Sequence, residues 1–424
     1  MVLHPFPGGA IVGIAMALPA LRNVDVSSFE HEGRTVVHLR DPEGYVEAEL
    51  VLTPEAFFIA AQLDGAADVR DIQYACAQYF GGQIVPSEDI LRITDYLDEH
   101  GFLHSERFEA VRRKVATDFA QVNVRATALA GKTYPSDPVE LRAFLDALFT
   151  ADGAPGKAPS RPPRKGRPHK GLIVPHIDFQ RGAASYAHGY SSLFDSGRPQ
   201  TAFIFGVAHA GGGAPFILTK KDFQTPFGTL ETDKEIIAKL EAAAEWDPYA
   251  DELIHRSEHS IEFQAVMLAY LFGTGVRIVP ILCAAFSDDP DCADPAALPH
   301  VTAFLDASRD VFASCNGPAT VVAAADLAHV GRRFGQDIDL SDALLTRIEA
   351  RDREDLAYVT AVNAQGFYQS VMKDQNERQV CGANCIYAAL QTLDGTARRG
   401  ELLSYGYAPD PGDGVVSFAS VALL

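Results

Sequence analysis

Three apolar runs in the second half of the chain each end on groups that bind metals or move protons. GLIVPHID ends on His176 and Asp178, TAFIFGVAH on His209, and ATVVAAADLAH on Asp326 and His329. Any one of these alone reads as a hydrogen-bonded structural residue. Together they read as a constellation, because strands of one open α/β sheet bring their carboxyl ends to a common edge where ligands bind. Two imidazoles with a carboxylate or thiolate suit non-haem iron, and imidazole also takes zinc or copper. Glycines 211–213 follow soon after His209. Gly211 is therefore a candidate substrate-binding position, where backbone without a side chain lets a ligand approach.

A second group lies in HRSEHSIEFQAVMLAYLF. Ser260 is placed to cap a helix, with Glu258, His259 and Glu262 around its start. A helix N-terminus disfavours a protonated imidazole, so His259 is a candidate general base with the two glutamates beside it. The competing reading is a charged, capped helix start on the surface. In GRRFG, Arg332 is a candidate contact for an anionic substrate, against the default of a solvated loop.

The elements that must position these groups alternate. Apolar runs at GLIV, TAFIFGV, VRIVPILC and ATVVAAA are separated by helical patterns such as GAASYAHGYSSLF and TDKEIIAKLEAAA. That rhythm predicts an α/β fold with a mainly parallel sheet covered by helices. The first hundred residues differ. Short alternating segments precede three helical patterns, one with Thr53 as cap and Pro54 in its first turn, one from Val69 and one with Ser87 as cap, which predicts a small winged-helix α+β domain. The expected organisation is a flexible extension over 1–20, the winged-helix domain over 21–106, a bridging helix over 107–121 and the α/β domain over 122–424. Residues 152–170 form a basic, proline-rich loop. Met16 is an alternative start to Met1.

The 424 residues carry a formal net charge of −20, which disfavours nucleic acid and anionic membrane surfaces as partners. Only Arg70 and Arg92 are basic Arg or Lys between 45 and 105, so the winged-helix pattern is not read as a DNA reader. The six cysteines are sparse and lack a paired zinc spacing, which fits a reducing cytoplasm. No run is long and apolar enough to span a bilayer. No nucleophile elbow, P-loop or dinucleotide fingerprint is present.

The order ALAGKTYPSDPVELRAFLDAL, IVPHID, FGVAH, EHSIEFQ, ADLAHVGRRF, CGANCIYAAL, LSYGYAPD and GVVSFASVAL resembles the Memo family, in bacteria protein B of the AmmeMemoRadiSam system. The resemblance covers about residues 122–424. It implies the fold of LigB-type class III extradiol dioxygenases, which hold Fe(II) with two histidines and an acidic residue, and a radical SAM protein as partner. Carried over by motif, His176 and His209 are metal ligands and His259 the base. The third family ligand, a cysteine before the histidine of the ADLAH motif, reads Ala328 here. Asp178, Asp326 or His329 is then expected to replace it, with copper or zinc as alternatives to Fe(II), unless the site has lost its metal. Cys381 of the CG motif is expected to be structural, with a redox pair to Cys385 as the minority reading. Residues 20–105 resemble a PqqD-like winged helix, which implies a peptide or protein ligand. Two functions follow: a non-haem metal enzyme of redox or dioxygenase type, or a non-catalytic scaffold recruiting a partner through its winged helix.

Overall fold

The computed structural model describes residues 16–31, 33–159, 166–287, 292 and 294–424. Residues 1–15 of the expected extension, Met1 included, and residues 160–165 of the basic loop lie outside these. The chain divides into two compact units, Met1–Ala120 and Gln121–Leu424.

In the first unit, strands β1 (Asp25–His31), β2 (Arg34–Arg40) and β3 (Leu50–Leu52) form an antiparallel sheet in that order. Helices α1 (Pro54–Ala61), α2 (Val69–Tyr79), α3 (Ser87–Glu99) and α4 (Glu106–Gln121) follow. Thr53 caps α1 by accepting from the Ala56 N–H at 3.2 Å, with Pro54 in the first turn. Asp68 and Asp71 close a reciprocal capping box on α2. Ser87, expected to cap α3, is instead its first residue, and Pro86 stands in the cap position. Val37, Leu39, Ile59, Ile72, Ile90 and Leu97 build the core between sheet and helices. Leu18 and Ala20 already belong to this unit. The Leu18 N–H donates to the Ala67 carbonyl, and the Ala20 carbonyl accepts from the His104 N–H.

The second unit is a three-layer α/β arrangement. Its main sheet has eight strands: β5 (Gly171–Val174), β6 (Thr201–Val207), β7 (Phe216–Leu218), β10 (Arg277–Cys283), β11 (Ala319–Ala324), β12 (Asp326–Gly331), β13 (Gly400–Asp410) and β14 (Gly414–Leu423). A small sheet of β4 (Val124–Arg125), β8 (Asp222–Thr225) and β9 (Gly228–Leu230) stands beside it. The main sheet is mixed, which corrects the expectation of a mainly parallel one. β5, β11, β6 and β10 are parallel neighbours in that order, while β7 and β14 join antiparallel at the two flanks. The physical reason is the long hairpin of β13 and β14. It turns at Gly412 and Asp413, both with positive φ, and β14 then pairs β5 at one end and β12 at the other.

Both faces of the parallel centre are buried, so its strands are apolar throughout. Phe203, Phe205, Val279, Ile281 and Val321 point to one face, under α9 (Pro299–Ala313) and α12 (Ala383–Thr392). Ala202, Ile204, Ile278, Leu282 and Val322 point to the other, under α6 (Ala183–Ser196) and α8 (Ser260–Phe272). Every residue of α8 is buried, as expected of a helix that is apolar nearly all round. The remaining helices are α5 (Pro138–Leu148), α7 (Lys234–Ala243), α10 (Asp342–Thr360) and α11 (Ala364–Met372). The run ATVVAAADLAH is two strands. β11 lies inside the parallel centre, and after Ala325 the chain leaves to pair with β14 as β12.

Candidate metal centre

The register of the parallel strands sets Val174 against Ala324 and Val207 against Cys283. Beyond this common edge the chain places His176 and His209. His176 is buried, and its ring Nδ1 lies 2.9 Å from the Ala324 carbonyl. A carbonyl only accepts, so Nδ1 carries the proton and Nε2 keeps its lone pair. The His176 N–H donates to the Asp326 carboxylate at 3.1 Å. His209 is held in the same tautomer by Glu258. Its Nδ1 is 3.0 and 3.1 Å from the two carboxylate oxygens, and its backbone N–H donates to one of them at 2.9 Å.

Cys381 completes the group. Its Sγ lies 3.5 Å from His176 Nε2, and one donor atom each from His176, His209 and Cys381 falls within 4.8 Å of the other two. The ring centroids of the two histidines are 4.9 Å apart. A metal with bonds of about 2.0–2.3 Å to nitrogen and sulfur fits among donors so spaced, and two imidazoles with one thiolate form a chemically coherent set. Burial pushes the Cys381 thiol above its usual range, opposed by its hydrogen bond to His209. Metal binding would therefore release a proton.

Gly382 explains how the thiol arrives there. A Cβ at this residue would stand 2.4 Å from the Ala325 Cβ and 2.6 Å from the Asp326 carbonyl oxygen. Only a glycine lets the start of α12 seat against the strand crossover, where the Gly382 N–H donates to that carbonyl at 3.2 Å.

A second group of three, His209, Glu258 and His259, also lies within 4.8 Å. Its carboxylate is already committed. Glu258 accepts from the N–H groups of His209, His259 and Ser260, the last two at 2.8 and 3.0 Å, and from His209 Nδ1. It is an anionic cap on the N-terminus of α8 and the partner that orients His209. Burial opposes the charge on Glu258, but His209 and His259 outweigh it and hold the carboxyl well below its usual range. Reciprocally, burial opposes protonation of His209, yet Glu258 raises it well above the usual histidine range, so that without an ion its Nε2 carries a proton which a metal would displace, leaving the Nδ1-protonated tautomer. Burial and then neighbouring His209 and His259 keep His176 well below that range.

His259 occupies the cap position of α8, and Ser260, expected to be the cap, donates its hydroxyl to the Val207 carbonyl at 3.1 Å. The His259 ring stacks on His209 at 4.7 Å with an interplanar angle of 15°, and its Nδ1 is 3.3 Å from Glu258. Burial lowers its pKa to about 4.

The other predicted residues are placed differently. Glu262 is buried and saturated. It pairs with Arg125 and accepts from the Ala128 and Leu129 N–H groups at 2.8 and 3.0 Å and from the Tyr134 hydroxyl at 2.5 Å. Asp326 lies beside the cluster, with Oδ2 3.7 Å from His176 Nε2, and burial raises its pKa to about 7. Asp178 is not on an extended segment with His176. The chain turns there, and its carboxylate is taken by the Arg181 N–H and guanidinium. His329 turns its Nδ1 to the Leu327 carbonyl at 3.1 Å, and its ring stands perpendicular to that of Phe334. Arg332 pairs with Asp339 and Asp337. Gly211, with φ of +78°, forms a turn by donating to the Ala208 carbonyl.

Ala328 does not face the cluster. It packs with Val330, Leu344, Ile348 and Val415, because an irregularity in the β12 register between Asp326 and His329 breaks the alternation that would have kept it on the side of Asp326. The gap expected there is not a gap in the site. Cys381, expected to be structural, brings the sulfur from a different motif. The signal that marks it is the Cys-Gly pair before an apolar helix. Cys385 is buried facing Cys283, and burial and that hydrogen bond raise its thiol well above the usual range.

Comparison with known proteins agrees with this architecture. Residues 125–422 match the family model described as Memo-like protein. A MEMO1 family protein of Aquifex aeolicus is 27% identical over 387 residues, spanning 90% of this chain and 94% of the relative. Relatives so described from Methanopyrus kandleri and Thermus thermophilus are 29% and 28% identical. The first of these is spanned over 98% of its length by 70% of this chain, the second over 89% by 76%. With the family model matched across most of its length, the chain belongs to the Memo family.

Proposed function

We propose that the Memo-like unit is a metal-dependent enzyme of redox type, with His176, His209 and Cys381 holding the ion and His259 handling a proton. One observation carries this reading. Two imidazoles, each with Nδ1 tied to a protein acceptor, converge with a thiol at the edge of the sheet. Iron, the metal the dioxygenase resemblance implies, or copper would supply one-electron chemistry, and zinc would supply a Lewis acid.

The chain's own residues do the rest. His259 stays neutral near pH 7 and accepts a proton from a substrate group held beside it. Glu258, 3.3 Å from its Nδ1, stabilises the imidazolium that forms. His176 and Asp326 close the inner side of the site, each about 2% exposed. The side chains of His209 and His259 are 38% and 34% exposed, so substrate enters from their side. The N-terminal unit, with three strands followed by four helices, is the element we assign to recruiting a peptide or protein in the manner of a PqqD-like module, for a radical SAM partner. The scaffold reading drew on Ala328, and the position of Cys381 argues against it.

Metal analysis of the full chain purified without oxygen or chelator tests the proposal. Near-stoichiometric iron, copper or zinc is expected, and it should be lost from Cys381→Ser and from the His176→Ala, His209→Ala double variant. No binding by the unaltered chain, even after Fe(II), Cu(I) and Zn(II) are offered, would sink it.

A further inference from the structure

Cys381 is carried by an awkward stretch of chain. Between the end of α11 and the thiol, Gln375, Asn376 and Gln379 all adopt φ between +51° and +55°. Residues with a side chain hold the left-handed region only where their surroundings over-determine it. The determinants are visible. Asn376 Oδ1 accepts from the Val380 N–H at 2.7 Å, closing the segment on itself. Gln336 donates to the Glu377 carbonyl at 2.8 Å, and Gln379 donates to the Phe334 carbonyl at 3.1 Å. The Arg378 carbonyl accepts from the His329 N–H at 2.7 Å, tying the segment to β12.

The anchor is the Arg378 side chain. It is 9% exposed and reaches α10, pairing with Asp352 and, at 2.5 Å, with Asp355. Neither acid serves Arg378 alone. Asp352 also accepts from the Tyr405 and Ser417 hydroxyls at 2.9 and 2.5 Å, and Asp355 accepts from Ser370 at 2.5 Å. The network thus joins α10, α11, β13 and β14 to a residue three places before the thiol. A buried ion network of this kind is weak evidence of stabilisation, since desolvation offsets much of the attraction. The Arg378 Nε has no hydrogen-bond partner, so the network is not optimised for satisfaction either. Its geometry serves placement.

We infer that Arg378 is a positioning residue for Cys381: held by Asp352 and Asp355, it locks the segment that delivers the thiol to His176 and His209. The inference takes its functional meaning from the metal-centre reading, but its structural content is testable without a metal.

The test uses the full chain and two readouts. In the metal-free protein, alkylation of Cys381 by iodoacetamide is followed by mass spectrometry. In the Co(II)-loaded protein, the thiolate-to-cobalt charge-transfer absorption and the Co(II) affinity are measured, with Cys381→Ser as the blank. Arg378→Met is expected to alkylate several-fold faster and to bind Co(II) about 10–100-fold more weakly with a diminished thiolate band. Arg378→Lys should recover part of both. Asp355→Asn, which keeps the shape and removes one anchor, carries the same expectation if Arg378→Met does not fold. Unchanged alkylation and an unchanged band in a folded anchor variant overturn the inference. If the unaltered chain shows no thiolate band, the metal-centre reading fails, and the alkylation rates still decide whether Arg378 positions Cys381.

Discussion

Two glutamates four residues apart do different work, and the difference is local. Glu262 has its carboxylate filled by Arg125, two backbone N–H groups and Tyr134, so no lone pair is left for chemistry. Glu262→Gln should destabilise the unit by about 3 kcal/mol, the cost of an unpaired buried charge on Arg125, as read by urea unfolding at pH 7. Metal affinity of the folded variant should stay within about twofold, since ligand orientation is untouched. Glu258→Gln should do the reverse where it matters. It frees the tautomer of His209, and metal affinity should fall about 10–100-fold by competition titration. His255 gives a pH dependence away from the cluster. It is buried, its Nε2 donates to the Ile217 carbonyl, and Nδ1 has no partner. Burial lowers its pKa to about 3. The unfolded chain takes up a proton near pH 6.5 that the folded chain refuses, so this residue makes stability fall as pH drops from about 6.5 towards 3. His255→Gln should flatten that part of the melting-temperature profile, and an unchanged slope would show that His255 does not titrate as described.

At the scale of elements, the site depends on where strands stop and on how one helix docks. β11 ends at Ala324, Ala325 makes the crossover, and α12 seats its glycine against that corner. Gly382→Ala would force a Cβ into space held by Ala325 and Asp326. A loss of about 1–3 kcal/mol is expected from such overpacking, with metal content falling as Cys381 is pushed away from His176. Calorimetry and metal analysis on one preparation check both. Full stability with full metal content would mean that the corner relaxes freely. The same corner explains why ADLAH misleads when it is read as a strand end. Asp326 already opens β12, opposite Phe418 of β14, and Ala328 and His329 lie further along that strand, past a register irregularity.

At the scale of the molecule, the two compact units differ in family coverage. The Memo-like model begins at residue 125, and the Methanopyrus relative is matched over almost its whole length by 70% of this chain. A fragment of residues 121–424 is therefore expected to fold alone and keep its metal stoichiometry, as judged by circular dichroism and metal analysis. The match to the Aquifex relative extends over 90% of this chain, so the N-terminal unit is shared with at least part of the family. No described helix is long and apolar enough to cross a membrane.

Much of this was legible in the residues alone. Apolar runs closing on His176 and His209, and an acidic, histidine-bearing helix start at Glu258 and His259, follow from local pattern, because strand ends and helix caps are set within a few residues. The mixed sheet was not legible, because antiparallel and parallel strands share the same apolar composition once both faces are buried. Nor was the third donor. Cys381 lies 205 positions from His176 along the chain, and only the docking of α12 on the strand crossover brings sulfur to imidazole. Spacing in sequence carries no information about such a contact. Tertiary packing also decided that Glu262 is a structural anchor and that Ala328 leaves no gap, since both depend on which neighbours fill the space around them.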